Sequence, residues 1–278
     1  MPQTTRFVFF GTPDVASKTL DILKSHGYVP SLVITAPDRP VGRHFVMTPS
    51  PVKVWAQREG IPVIQPEKIT AAVADQITAT SGSLEAEIFI VVAYGKILPQ
   101  SLIDIPKLGT YNIHYSLLPR HRGASPVEAA ILAGDAETGV SIQKMVFELD
   151  AGPIIAEERL AIADDDTTPT LREKLIAIGG NLLASLMSTI TTGSVILREQ
   201  DETLATHCGK TKKEDGLVDP FADDPEILWR KYRAYQPWPG LYFMQDGKRV
   251  KITGARYEHG KFIIERVIPE GKKEMNWQ

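Results

Sequence analysis

The chain has 278 residues, 43% of them hydrophobic, enough for a sizeable buried core in one large domain or two. The net charge is −3, but residues 229–278 carry a net +6 and the preceding 228 a net −9. Such asymmetry fits a basic module on an acidic one, and basic modules often meet nucleic acid, although scattered surface lysines give the same count. A single cysteine, Cys208, excludes a disulfide framework and a thiolate metal cluster, and is expected to be an inert small side chain. The opening apolar run is too short for a signal peptide and no later run is expected to span a bilayer, so the chain reads as soluble and cytoplasmic.

In chain order, residues 6–10 form a buried strand and Gly11-Thr12-Pro13-Asp14 turns into a helix ending near His26-Gly27. No G-x-G-x-x-G follows that strand, which weighs against a dinucleotide enzyme. A strand at 32–35 leads to a Pro/Gly-shaped loop at 37–43, whose Arg39 and Arg43 suit phosphates or carboxylates, or simply solvent. Ser50-Pro51 and Ser125-Pro126 are helix starts, serine at the N-cap and proline in the first turn. Further strands are expected at 87–92 and 109–115. Strands alternating with helices predict an α/β fold with a mostly parallel sheet covered on both faces. Segments 140–147 and 154–162 add an antiparallel portion, followed by a long helix at 169–190 and a connector from 191. Beyond Lys213 the aromatic stretch ILWRKYRAYQPWPGLYF and the segments VKIT and KFIIERVI resemble strands of a small β-module.

Candidate chemistry concentrates in YNIHYSLLPRHRGASP, residues 111–126. In a strand Asn112 and His114 share one face while Ile113 packs on the other. An amide and a protonated imidazole can both donate to a developing oxyanion. A lone histidine in a strand is nonetheless more often structural. Asp150, in FELDAGPII, is either turn chemistry or an acid that orients His114 and accepts a proton, and separation in sequence does not decide.

The stretches GTPD, PDRPVGR, PSPVK, VVAYGKILP, NIHYSLLPRHRGASP and LDAGPI, with QPWPG and PEGKKEM further on, resemble methionyl-tRNA formyltransferases in order and spacing. These belong to the wider 10-formyltetrahydrofolate-dependent formyltransferase superfamily. The resemblance implies a Rossmann-like formyltransferase domain at 1–190, a linker at 191–206 and an OB-like β-barrel at 207–278 that helps hold tRNA. It implies Asn112, His114 and Asp150 as the catalytic trio. The 10-formyltetrahydrofolate donor is expected against Ala93, Tyr94, Gly95 and Ile97 and the turn Ser116, Leu117, Leu118 and Pro119. Methionyl initiator tRNA is expected to meet Arg39, Arg43 and the turn Gly11, Thr12 and Pro13. A monomer without metal or membrane partner is implied. Two departures stand out: the arginine loop continues as His44-Phe45-Val46-Met47, an apolar tip, and the C-terminal module is too short for a full barrel. Within the superfamily, a nucleotide-linked amino sugar is the alternative acceptor; an inactive tRNA- or folate-binding homologue is a third reading.

Overall fold

A computed structural model describes residues 6–42, 45–81 and 87–278. The chain opens with β1 (Phe7–Gly11) and α1 (Asp14–Ser25), then β2 (Leu32–Ile34), β3 (Arg39–Val41), β4 (Val46–Thr48), α2 (Pro51–Arg58), β5 (Val63–Ile64) and α3 (Ala71–Ser81). There follow β6 (Ile88–Val92), α4 (Gln100–Ile103), β7 (Thr110–His114), β8 (Arg122–Gly123), α5 (Pro126–Ala133), β9 (Glu137–Lys144), β10 (Ile154–Ala161) and α6 (Thr168–Thr191). The C-terminal part holds β11 (His207–Cys208), α7 (Pro225–Ala234), β12 (Tyr242–Gln245), β13 (Lys248–Glu258), β14 (Lys261–Pro269) and β15 (Met275–Asn276).

The main sheet runs β10-β9-β7-β6-β1-β2-β5. Its pairs from β7 to β5 are parallel, and β9 and β10 add the expected antiparallel portion. One face buries Phe7, Phe9, Ile90, Ile113, Val140 and Ile142 among the apolar sides of α1, α2, α5 and α6. Each such side chain contributes about 1.5–3 kcal/mol when fully buried. Contrary to expectation, α6 is long and apolar enough to cross a membrane by length and composition. Its apolar stripe is instead spent inside the protein, where Leu171, Leu175, Leu183 and Met187 are buried. Gly179 and Gly180 make that approach possible: a Cβ on Gly180 would stand 2.7 Å from Ile22 Cδ1, and one on Gly179 3.0 Å from Ile113 Cγ2.

The other face changes character across the sheet. Over β1, β2 and β6 it buries Val8, Phe10, Ile34, Phe89 and Val91 together with Ile77 of α3 and Leu102 of α4. In register with Val91 comes Asn112 on β7, which lies opposite Gln143 of β9, while His114 lies opposite Ser141. Paired residues point to one side, so the apolar layer gives way to four polar side chains. Loops cover this half where α3 and α4 cover the other.

The C-terminal module departs from an all-strand reading. Residues 225–234 form the helix α7, because Asp224 caps it by accepting from Glu226 N at 2.9 Å and Ile227 N at 3.0 Å. This helix docks on the first module: Thr168 Oγ1 donates to Ala234 O at 2.6 Å, and Arg233 Nη1 to Asp166 O at 3.1 Å. Strands β12 to β15 form a four-stranded antiparallel meander, the reduced counterpart of the expected barrel. The two serine helix starts also differ. Ser50 accepts from Lys53 N at 3.1 Å as an N-cap should, whereas Ser125 Oγ accepts from Thr211 N at 3.3 Å and caps nothing.

Candidate active site

His114 is 5% exposed, and its Nε2 lies 2.9 Å from the carbonyl of His121. A carbonyl only accepts, so Nε2 carries a proton and Nδ1 is the ring atom left to face the loop after β9. There Asp150 Oδ2 lies 3.6 Å from Nδ1, close enough for charge attraction but beyond a good hydrogen bond. Asp150 has a left-handed backbone (φ 52°), one that Asp tolerates better than most residues. Its carboxylate is held on both oxygens: Oδ2 accepts from Gly123 N at 2.8 Å and Oδ1 from Gln143 Nε2 at 3.0 Å. Gln143 in turn accepts from Gly152 N at 3.1 Å, closing the loop onto the sheet. Asn112 is half-buried beside them, and its amide has no protein partner among the described residues. The structure therefore brings Asn112, His114 and Asp150 to one face, with a free amide, an oriented imidazole and a fixed carboxylate.

The two segments after β6 and before Asp150 are loops. Ala93 (φ 47°) and Gly95 (φ 79°) twist the backbone after β6 and are exposed. Tyr94, by contrast, turns its ring into the core, edge-on to Phe10 at 5.6 Å, where burial pushes its hydroxyl up to about 12. Ile97 is 78% exposed, and Phe147 and Leu149 of the loop leading to Asp150 are 55% and 66% exposed. The two loops meet where Met145 packs against the cluster containing Tyr94 and Leu98. The turn after β7 is placed differently: Ser116 is buried and donates to Arg120 O at 2.6 Å, and Leu118 is buried. Leu117, Leu118 and Pro119 line a separate cleft of about 600 Å³ with His121, Asp135 and Thr206.

Gly11 is packed against Ala16 and Val92, and Thr12 Oγ1 donates to Tyr94 O at 3.1 Å, with Pro13 preceding α1. The arginine loop is a short hairpin of β3 and β4. Arg39 is exposed and paired with Glu67 at 2.8 Å; Glu67 O accepts from Lys96 at 2.8 Å, which ties the hairpin to the loop after β6. Arg43 and His44 lie outside the described residues. Val41, Phe45, Val46 and Met47 are 56–76% exposed, so the apolar tip is indeed presented outward.

Comparison with known proteins places the chain in a family. Residues 5–187 match the formyl transferase family and residues 210–265 the formyl transferase C-terminal domain. A methionyl-tRNA formyltransferase of Geotalea uraniireducens is 41% identical over 268 residues, covering 96% of this chain and 84% of that one. The chain belongs to the methionyl-tRNA formyltransferase family. It is accordingly a formyl-transferring enzyme. The solved methionyl-tRNA formyltransferase from Clostridium thermocellum shares the formyltransferase fold at TM-score 0.63 and 15% identity, covering 95% of this chain and 98% of that one. An N-formyltransferase from Helicobacter canadensis, solved with folinic acid and dTDP-3-aminofucose, shares it at TM-score 0.66 and 17% identity, covering 94% and 95%.

Several groups that hold this arrangement together stand outside Asn112, His114 and Asp150. Gln143 was open to detection, because alternation along Val140, Ser141, Ile142 and Gln143 places it with Ser141 on one face. Gly123 N and the His121 carbonyl are backbone groups with no side-chain signature. Gln200 is brought in by a distant segment to meet Arg122 of the 111–126 stretch itself, and both are buried. Cys208 donates to His121 O at 3.4 Å, and burial raises its thiol above the ordinary value, which keeps it protonated and unreactive at neutral pH.

Proposed function

We propose that this enzyme transfers the formyl group of 10-formyltetrahydrofolate to the α-amine of methionyl initiator tRNA, with Asn112, His114 and Asp150 as its catalytic residues. The observation that carries this reading is the unpartnered Asn112 amide on the same face as the His114–Asp150 pair. An α-amine with a pKa of about 7.7–8.0 is largely protonated near neutrality and must lose that proton to attack. Asp150 takes it, directly or through one water, as the amine nitrogen bonds to the formyl carbon. Asn112 and protonated His114 donate to the oxygen that becomes anionic. His114 Nδ1, the nitrogen not committed to the His121 carbonyl, then gives its proton to N10 as the N10–carbon bond breaks. It takes up the second amine proton as the amide forms, while the proton on Asp150 leaves to solvent.

The donor would rest against the exposed backbone of Ala93 and Gly95 and the apolar Ile97, Phe147 and Leu149. For the acceptor, we assign the tRNA end to the β3–β4 hairpin and the basic C-terminal module. Lys248, Lys261, Lys272 and Lys273 there are exposed with no carboxylate partner among the described residues. We infer that the enzyme works in the cytoplasm, where its acceptor is made. Supplying the protein with 10-formyltetrahydrofolate and, in parallel, methionyl initiator tRNA or a nucleotide-linked amino sugar tests the assignment. Formyl-methionyl-tRNA is the expected product; formylation of the sugar alone overturns the reading.

A further inference from the structure

The segment expected to be a plain linker is built into the site. Gln200 is 9% exposed, and all its hydrogen-bonding capacity is used. Its amide nitrogen donates to Asp150 O at 2.8 Å and to Gly152 O at 2.7 Å. Its amide oxygen accepts from Arg122 Nε at 3.0 Å and Nη2 at 2.7 Å. Only this orientation of the amide serves both sides, since carbonyls accept and a guanidinium donates. Arg122 is itself buried, and the rest of its fork engages Glu202 at 2.7–2.9 Å. The neighbouring backbone is zipped to the same wall: Arg122 N donates to Thr206 O at 2.9 Å, and β11 pairs in parallel with β8. Gly123 is required at that seam, because a Cβ there would stand 2.1 Å from Cys208 O and its φ is 125°.

The geometry points to Gln200 as a positioning residue for the formyl transfer, one that fixes Asp150 by clasping the Asp150 and Gly152 carbonyls of its turn. The reading rests on the role of Asp150 proposed above. Asp150 sits in a left-handed conformation that a free loop would leave part of the time. Its own carboxylate contacts, from Gly123 and Gln143, come from the sheet side. Gln200 grips the turn through its carbonyls and anchors it to Arg122 in the wall that also supplies Gly123 N. A carboxylate displaced by about 1 Å from the amine loses much of its catalytic advantage. Because Gln200 precedes the second module in the same segment, the chain that carries that module also holds the catalytic aspartate.

The test is steady-state formylation of methionyl-tRNA by wild type, Gln200→Ala and Gln200→Glu, each also combined with Asp150→Asn, with Glu199→Gln, an exposed neighbour, as control. Gln200→Glu keeps the shape and the contact to Arg122 but loses both N–H donors. Both Gln200 variants are expected to lower kcat about 10- to 100-fold, with KM for donor and tRNA within about 2-fold, since the defect lies in geometry rather than binding. On the Asp150→Asn background the same changes are expected to lower kcat no further, because two residues acting through one group are not additive. The control should match wild type. Unchanged kcat in both Gln200 variants, a raised KM with unchanged kcat, or losses that multiply in the double variants would overturn the role of Gln200 while leaving the functional reading intact. A wild type that formylates no methionyl-tRNA, measured first, overturns both.

Discussion

Two rims flank the loop 93–98, and they are built on opposite terms. The rim carrying Asp150 is a closed polar network in which Gln143, Gly123, Gln200 and Arg122 satisfy one another inside the protein. The rim carrying Arg39 is a two-stranded hairpin that leaves Phe45, Val46 and Met47 outward, with an exposed ion pair from Arg39 to Glu67. Buried polar networks cost much to disturb and hold one geometry, whereas exposed ion pairs are worth roughly 0–1 kcal/mol. The first rim suits atoms that must be placed within a fraction of an ångström. The second suits a large partner that supplies the missing contacts itself.

Mutations can break that contrast, and the largest effects belong to the polar rim. His114→Ala and Asp150→Asn should each reduce kcat by about 10²–10⁴, the usual range for a positioned acid or base. Asn112→Ala should cost about 10²–10³, as for a lost oxyanion donor. Single-turnover formylation with both substrates saturating reads these losses directly, and near-normal turnover of His114→Ala would remove the histidine from the chemistry. At the apolar rim, the double change Phe45→Ser and Met47→Ser should raise KM for methionyl-tRNA roughly 10-fold, the equivalent of about 1.4 kcal/mol, with kcat little altered. A fall in kcat without a change in KM would place the hairpin on the same terms as the Asp150 wall.

The smallest expected effect on activity lies outside both rims, at a residue that leaves catalysis alone and acts on stability. Asp166 sits at the junction with α7, and burial alone would raise its carboxyl; the bonds from Lys174, Ala163 N and Thr170 outweigh this and hold it below the ordinary value. A depressed folded-state value means its stabilisation is complete above the ordinary aspartate range near pH 4 and fades as pH falls through the folded-state value. Asp166→Asn should therefore cost about 1–3 kcal/mol at pH 7 and progressively less below pH ~4. Thermal melts of both proteins across that interval check the sign; a constant difference would detach it from the carboxylate.

Much of the catalytic module was readable because its signals are local. Strands β1, β6 and β7 are short apolar runs between turn residues, and Asn112 and His114 follow from the two-residue repeat of β7. Helix α7 was missed because Trp229, Tyr232 and Tyr235 favour strands by composition. Its start is set by Asp224, and its docking surface by spacing, with Leu228 and Ala234 buried. The Asp150 network was hidden for a different reason. Gln200 acts on residues 48 to 78 positions away, and nothing local in REQDE distinguishes a buried amide from a solvated one. Asp150 itself entered through resemblance, since turn chemistry accounts for Asp-Ala-Gly-Pro equally well.

The open meander leaves a border that a closed barrel would not have. Strand β15 pairs with β14 only at Arg266 and Val267, and Trp277 N reaches Glu265 O. Along 261–264, K-F-I-I, the outer backbone groups have no strand partner among the described residues, so this stretch can template a foreign strand. Lys261 at one end and Glu265 and Arg266 at the other place charged side chains along this edge, a device that disfavours the docking of an apolar strand. Charge at the ends of this strand thus guards against edge-to-edge aggregation where covering strands are absent.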